Sequence, residues 1–285
     1  VNGDAHNTAV GYTAGVAVTT GIQNTFIGGL SGSSITEANQ NVAVGHGTLD
    51  ADTLGARSVA VGTNSLTTQN FTTATNTYNV AAGYFSGANI TTGIQNTLIG
   101  GLAGDALTDA DYNVAIGYAS LTADTLGSKS TAIGVGTLES QNFTTATDSF
   151  NTAVGYTAGL SVTTGTNNTL IGALAGDALT SAVRNVAVGK GALSSDTLGN
   201  TSVAIGEDAL KNQNFTTATN VYNTAVGMNA GINVTTGVQN TILGGLAGDS
   251  LTDADENVAV GFGALTTDTL GSRSVAIGEQ ALAVQ

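Results

Sequence analysis

The chain has 285 residues, of which 20 are acidic and six are basic, so its formal net charge is −14. This charge disfavours nucleic acids and anionic membranes as partners, because their phosphates attract Lys and Arg side chains. Cys is absent, which excludes disulfides and thiolate metal sites. Gly makes up 40 residues, and 41% of the chain is hydrophobic, so we expect an ordered structure built from small side chains.

A repeat of 72 residues runs along the chain. Its blocks are 7–78, 79–150, 151–222 and the truncated 223–285. Each complete block contains four sub-units of 17, 17, 17 and 21 residues, which we call rungs. We interpret 1–285 as a single repeat domain. Because Val1 falls inside the repeating pattern, we expect the chain to be a mature or excised fragment.

Every rung opens with a similar five-residue motif, and in the first block the four motifs read NTAVG, NTFIG, NVAVG and SVAVG. The first residue is Asn, or Ser in the fourth rung, and the fifth is Gly in all sixteen copies. A short run of β-branched and small residues predicts a strand. Seventeen residues are too few for a βαβ crossover and show no helical periodicity. The sequence therefore predicts an all-β fold, a parallel β-solenoid of about 16 stacked rungs.

The opening strands are apolar on both faces, so we expect both faces of each strand to be buried. We predict that the fourth residue of the motif fills the coil, opposite Leu residues of the return path. These predicted core residues are Val10, Ile27, Val44, Val61, Leu49, Leu54, Leu66, Leu102 and Leu107. The middle residue would then face another chain. The predicted inter-chain contacts are Phe26, Leu98, Leu170, Ile242, Ala43 and Ala60.

The motifs NVAVG, SVAIG and NTLIG resemble the head repeats of trimeric autotransporter adhesins. The longer segments NTAVGYTAG and NTLIGGLAG are even more similar to repeats of phage tail fibres and related surface fibres. This resemblance covers residues 7–285 and implies a left-handed β-roll in a homotrimeric fibre on a virion or cell surface. It implies a role in projection or in attachment to host or surface glycans. The 17-residue rung is longer than the usual adhesin repeat, and the regular 21-residue fourth rung has no counterpart there.

The fourth rung carries an insertion that reads QNFTTAT in all three complete copies. Four additional residues should bulge outward. The candidate surface contact residues are Asn70, Phe71, Asn142, Phe143, Asn214 and Phe215. Two interpretations remain open: a periodic glycan or receptor contact in which Phe stacks on a sugar, and a structural loop that packs against a neighbouring chain.

Two groups of acidic residues recur. Asp52 and its copies belong to a D-T-L-G motif, and a basic residue such as Arg57 follows in three of four copies, which predicts ion pairs within a rung or between chains. Asp105, Asp109 and Asp111 form a cluster that fits either Ca²⁺ or, with better support, a solvated turn.

We expect no enzymatic activity, no cofactor and no resident metal. The only His residues, His6 and His46, are replaced by other residue types in the remaining copies, and no nucleophile–base motif is present. Two alternative functions remain open. One is a self-assembling extracellular filament without a separate ligand. The other is an ice-binding solenoid, for which the recurring Thr pairs at positions such as 19–20 are sparse.

Overall fold

The computed structural model describes residues 4–284, which form an all-β parallel solenoid of about sixteen turns and contain no helix. This confirms the fold class predicted from the repeat. The chain divides into two compact units, Val1–Ser149 and Phe150–Gln285. Each strand is two or three residues long, because Gly and turn residues limit every side of the coil.

The strands of the first unit form one long parallel ladder and two short ones. The ladder contains, in order, β1 (Thr8–Val10), β2 (Thr25–Ile27), β3 (Val42–Val44), β5 (Val59–Val61), β7 (Val80–Ala82), β8 (Thr97–Ile99), β9 (Val114–Ile116) and β11 (Thr131–Ile133). The short ladders pair β4 (Gly55–Ala56) with β6 (Thr75–Asn76), and β10 (Gly127–Ser128) with β12 (Thr147–Asp148).

The second unit repeats this arrangement with ten described strands. Its long ladder contains β13 (Thr152–Val154), β14 (Thr169–Ile171), β15 (Val186–Val188), β17 (Val203–Ile205), β19 (Thr224–Val226), β20 (Thr241–Leu243), β21 (Val258–Val260) and β22 (Val275–Ile277). Its short ladder pairs β16 (Gly199–Asn200) with β18 (Thr219–Asn220).

Beyond the first rung the motif Asn is buried, and it links its own rung to the next. Asn24 donates from Nδ2 to the carbonyl of Ala38 in its own rung (2.8 Å), and its Oδ1 accepts the backbone N–H of Asn41 in the following rung (2.9 Å). The motif Asn side chains therefore bond mainly to backbone groups. This pattern explains the residue type, because only Asn offers both a donor and an acceptor at this reach.

The motif Gly is required by backbone conformation and by space. Gly117 has a φ of 139°, which side-chain-bearing residues rarely adopt. A Cβ at Gly117 would also overlap the carbonyl oxygen of Gly134 in the next rung. Substitution of this Gly would therefore disturb two rungs at once.

Candidate functional surfaces

The opening strands face the opposite way from the predicted orientation. Phe26, Leu98, Leu170, Ile242, Ala43 and Ala60 are at most 1% exposed, and they lie inside the coil of their own chain. These six residues are therefore not at an inter-chain surface, and the prediction was wrong. Alternation along a strand shows which residues share a face, but it does not show which of the two faces is enclosed.

The fourth motif residue, predicted to fill the coil, instead lies on the outside. Val10, Ile27 and Val61 are exposed, and Val44 is half-buried. On the return path Leu49, Leu66 and Leu107 are fully buried as predicted, whereas Leu54 and Leu102 are only half-buried. We call the second and fourth motif residues of all rungs the outer face. It contains only Thr, Val, Ile, Leu and Ala in its sixteen copies.

The insertion of the fourth rung presents different residues from those predicted. Phe71, Phe143 and Phe215 are only 6–7% exposed, so these rings are not available to stack on a sugar. Asn70, Asn142 and Asn214 are exposed as expected for surface residues. The exposed tip in the first copy is 72–74, after which β6 pairs with β4 of the preceding rung. Phe71 packs inward because it is large and apolar, whereas its chain neighbours Asn70 and Thr72 are polar.

A buried polar cluster lies where the predicted ion pair was placed. Asp52 is fully buried: its Oδ1 accepts the backbone N–H groups of Gly55 (3.0 Å) and Phe71 (3.2 Å), and its Oδ2 accepts Nε2 of Gln69 (2.5 Å). Arg57 is exposed and donates to Gln40 Oε1 and to the Tyr78 hydroxyl. Asp52 and Arg57 therefore do not pair, because the carboxylate is enclosed in the coil and bonded to groups on neighbouring segments.

The same cluster explains why Ser replaces Asn in the fourth rung. Gln69 Nε2 also donates to Ser58 Oγ (3.0 Å), while Gln69 Oε1 accepts Nδ2 of Asn79 in the next rung (2.9 Å). Gln69 thus occupies space that an Asn side chain at position 58 would need. In the third block, Asp196, Gln213, Ser202 and Asn223 make the same contacts.

Burial shifts the acidity of these carboxyl groups. Desolvation raises the pKa of Asp52, Asp124 and Asp196 above the ordinary value of 3.8. The hydrogen bonds from Gln and from backbone N–H groups act in the opposite direction and lower the pKa, but burial is the larger cause. Burial also raises the pKa of Asp111 in the second block and of Asp177 in the third, so every complete block holds at least one acid that is costly to ionise.

The acidic turn that contains Asp105, Asp109 and Asp111 bonds to neighbouring rungs. Asp105 accepts from Thr122 Oγ1, Asp109 from Thr92 Oγ1 at 2.5 Å, and Asp111 from the backbone N–H of Ile94 at 2.7 Å. Within residues 4–284, no group of three His, Asp or Glu side chains is arranged to hold a metal ion.

Exposed aromatic residues form a second surface feature. Tyr12, Tyr84 and Tyr118 are 80%, 60% and 58% exposed, and each follows the motif Gly of an odd-numbered rung. His46 occupies the same position in the third rung and is also exposed. These aromatic residues were not predicted as a candidate site. Their recurrence directly after the motif Gly is the sequence signal that identifies them.

The described residues contain no enclosed ligand pocket. No stretch between residues 4 and 284 forms a helix that is long and apolar enough to cross a membrane. No protein-family model matches the chain, and no curated protein matches it in sequence.

Proposed function

We propose that the chain is a structural and adhesive module of an extracellular fibre, on a virion tail or a cell surface. It projects from that surface or mediates attachment to host or surface glycans. The observation that carries this proposal is the outer face: in each unit an uncharged aliphatic and Thr surface continues from rung to rung. The role is structural and adhesive, not enzymatic.

The outer face is suited to association with other copies of the chain. Aliphatic side chains such as Ile99, which is 40% exposed, recur at the spacing of the rungs. Monomeric proteins rarely expose continuous apolar patches of this kind. Eight rungs at about 4.8 Å give each unit a face about 40 Å long, and identical chains share the same rung spacing, so their side chains interlock in register.

Charge points to the same face. Every copy carries a net charge of −14, so most approaches between copies are opposed by repulsion. The outer face has no charged residue at its second or fourth motif position in any rung. Association through this face therefore buries no charge and avoids the cost of desolvating one. We propose a homotrimer, the state that the adhesin-like motifs imply.

A purely structural filament is the alternative function. The outer face favours it equally, because self-association does not require a separate ligand. The two functions differ in what the assembled chain binds: an adhesive module retains glycans, and a structural filament retains none.

Sedimentation equilibrium of the chain tests the proposed association. We expect a mass near three times 28.0 kDa for the wild-type chain. The variant Ile99→Glu with Ile116→Glu places two carboxylates on adjacent rungs of the outer face, since these residues are paired neighbours. We expect this variant to be a folded monomer, because each of these two side chains is at least partly exposed.

Thr73→Glu, at the exposed tip of the first insertion, is the control and should remain associated. A wild-type chain that is monomeric at micromolar concentration would contradict the proposed assembly. So would a double variant that remains a trimer.

A further inference from the structure

The first unit carries a regular row of exposed rings. It consists of the residues that follow the motif Gly in the first, third, fifth and seventh rungs: Tyr12, His46, Tyr84 and Tyr118. We call these four residues the aromatic row. The rungs between them have Gly29, Thr63 and Gly101 at this position, so each of the three gaps between rings holds a residue no larger than Thr.

The rings are supported by their surroundings. A Cβ built on Gly101 would lie 3.5 Å from Cδ2 of Tyr118, and a Cβ on Gly29 would lie 3.4 Å from Cδ2 of His46. The rings of Tyr118 and His46 therefore lie beside the Gly of the preceding rung. Tyr84 packs on Phe85 with ring centroids 4.5 Å apart. Such contacts restrict the rings and reduce the entropy that ligand binding would cost.

The spacing of the aromatic row matches a sugar polymer. Successive members are two rungs apart, about 9.6 Å at the usual distance between strands. An extended β-1,4-linked disaccharide has close to this length, so every second sugar of such a chain would meet a ring. Aromatic rings present flat apolar faces to the axial C–H groups of pyranoses, and Tyr adds a hydroxyl that bonds at the edge. Several weak contacts in parallel then give useful affinity.

The charge of the first unit indicates which polysaccharides it could bind. Residues 1–149 contain ten acidic and only two basic side chains. Anionic polysaccharides would be repelled by this unit, and they would find few Arg or Lys partners. The row itself consists of three Tyr and one His, so its chemistry suits an uncharged polymer.

We infer that the aromatic row binds a neutral, linear β-1,4-linked polysaccharide that runs along the coil axis. This inference rests on the proposed attachment function and names its ligand class. The row lies beside the outer face, since the strand ends before the motif Gly and the ring follows it. Sugar binding and self-association therefore use neighbouring but different residues.

The second unit provides an internal comparison. Its equivalent residues are Tyr156, Lys190, Met228 and Phe262, so only two of four positions hold a ring. The two rings lie six rungs apart, and a single sugar chain would meet no adjacent pair. We therefore assign sugar binding to the first unit.

Titration calorimetry with soluble oligosaccharides tests the inference. Cellohexaose and chitohexaose are the probes, because they share the β-1,4 linkage and differ in the N-acetyl group, and maltohexaose is the α-linked control. We expect one or both β-linked probes to bind and maltohexaose not to bind. The variant Tyr84→Ala with Tyr118→Ala should bind at least tenfold more weakly, whereas Tyr84→Phe with Tyr118→Phe should retain most of the affinity.

The matched control is Tyr78→Ala with Tyr112→Ala, two exposed Tyr residues of the same unit that precede the motif Asn. It should leave sugar binding unchanged. The inference fails if neither β-linked probe binds, if maltohexaose binds equally, or if the control weakens binding as much as the row variant. Sedimentation of each variant separates the two proposals. A trimer that binds no probe overturns only the sugar inference, and a row variant that becomes monomeric reassigns the row to the contact between copies.

Discussion

The two halves of each 72-residue block fill the same coil in different ways. In the second block, the first two rungs enclose Leu98, Ile90 and Leu107, all fully buried. The last two rungs have Ala at the strand centre and enclose Leu121 with the carboxylate of Asp124. Similar opening motifs therefore support an apolar filling in one half and a mixed polar filling in the other.

The choice between the two fillings depends on the ninth residue of the rung. Gly104 has this position in an apolar rung, and a Cβ there would lie 2.8 Å from both Leu98 Cδ2 and Leu107 Cδ1. Leu121 has the same position in a polar rung, with a φ of 55° and no exposure. The coil thus has room for a large side chain from the strand or from the ninth residue, but not from both.

The largest expected effect comes from a carboxylate placed in an apolar rung. Leu98→Asp would bury a charge without donors, whereas Asp124 in the polar half has three, from Gly127, Phe143 and Gln141. We expect a loss of several kcal/mol of unfolding free energy. Urea unfolding followed by circular dichroism measures it, and Thr73→Asp, at the exposed tip of the first insertion, is the control. Equal stability of both variants would show that the apolar filling is not required.

An intermediate effect is expected when the polar half is made apolar. Gln213→Leu removes the side-chain donor to Asp196 Oδ2 and one of the two acceptors of Asn223 Nδ2. Leaving such buried groups unsatisfied should lower the unfolding free energy by about 3 kcal/mol. Gln239→Leu, at an exposed position of the same unit, should change it little. The same urea titration compares the two variants, and a Gln213→Leu chain as stable as wild type would mean that the polar contacts are dispensable.

The smallest expected effect is a gain of stability in mild acid. The pKa values of Asp52, Asp124 and Asp196 are raised by burial above 3.8, so the folded chain binds these protons more tightly than the unfolded chain. Their stabilising contribution is fully present below about pH 3.8 and is lost as the pH rises through the raised pKa. The urea midpoint should therefore increase between about pH 7 and about pH 4.

Asp196→Asn should reduce this increase, because one of the buried groups that bind a proton more tightly in the folded chain is removed. If the variant and the wild-type chain show the same dependence on pH, the effect comes from the surface charges and not from the buried acids.

The sequence alone predicted the rungs, their boundaries and the parallel stacking, because the motif repeats in phase sixteen times. It also placed Leu49, Leu66 and Leu107 in the core correctly. The candidate surfaces were harder to predict from the sequence. The sequence predicted Phe71 to be an exposed loop residue and Asp52 to pair with Arg57. Both predictions were wrong, because the spacing of residues along the chain does not show which segment packs across the coil.

What the sequence by itself determined is therefore the period, the strand and the fold class, since these follow from local preferences and from repetition. Only the tertiary structure decided which strand face is enclosed. Ala43 and Val44 are both apolar and alternate along one strand, so either could be inside by pattern alone. The turn before the motif Asn, where Gln40 has a φ of 61°, and the positive φ of the motif Gly together set the direction of the strand. That direction encloses Ala43 and leaves Val44 on the outer face.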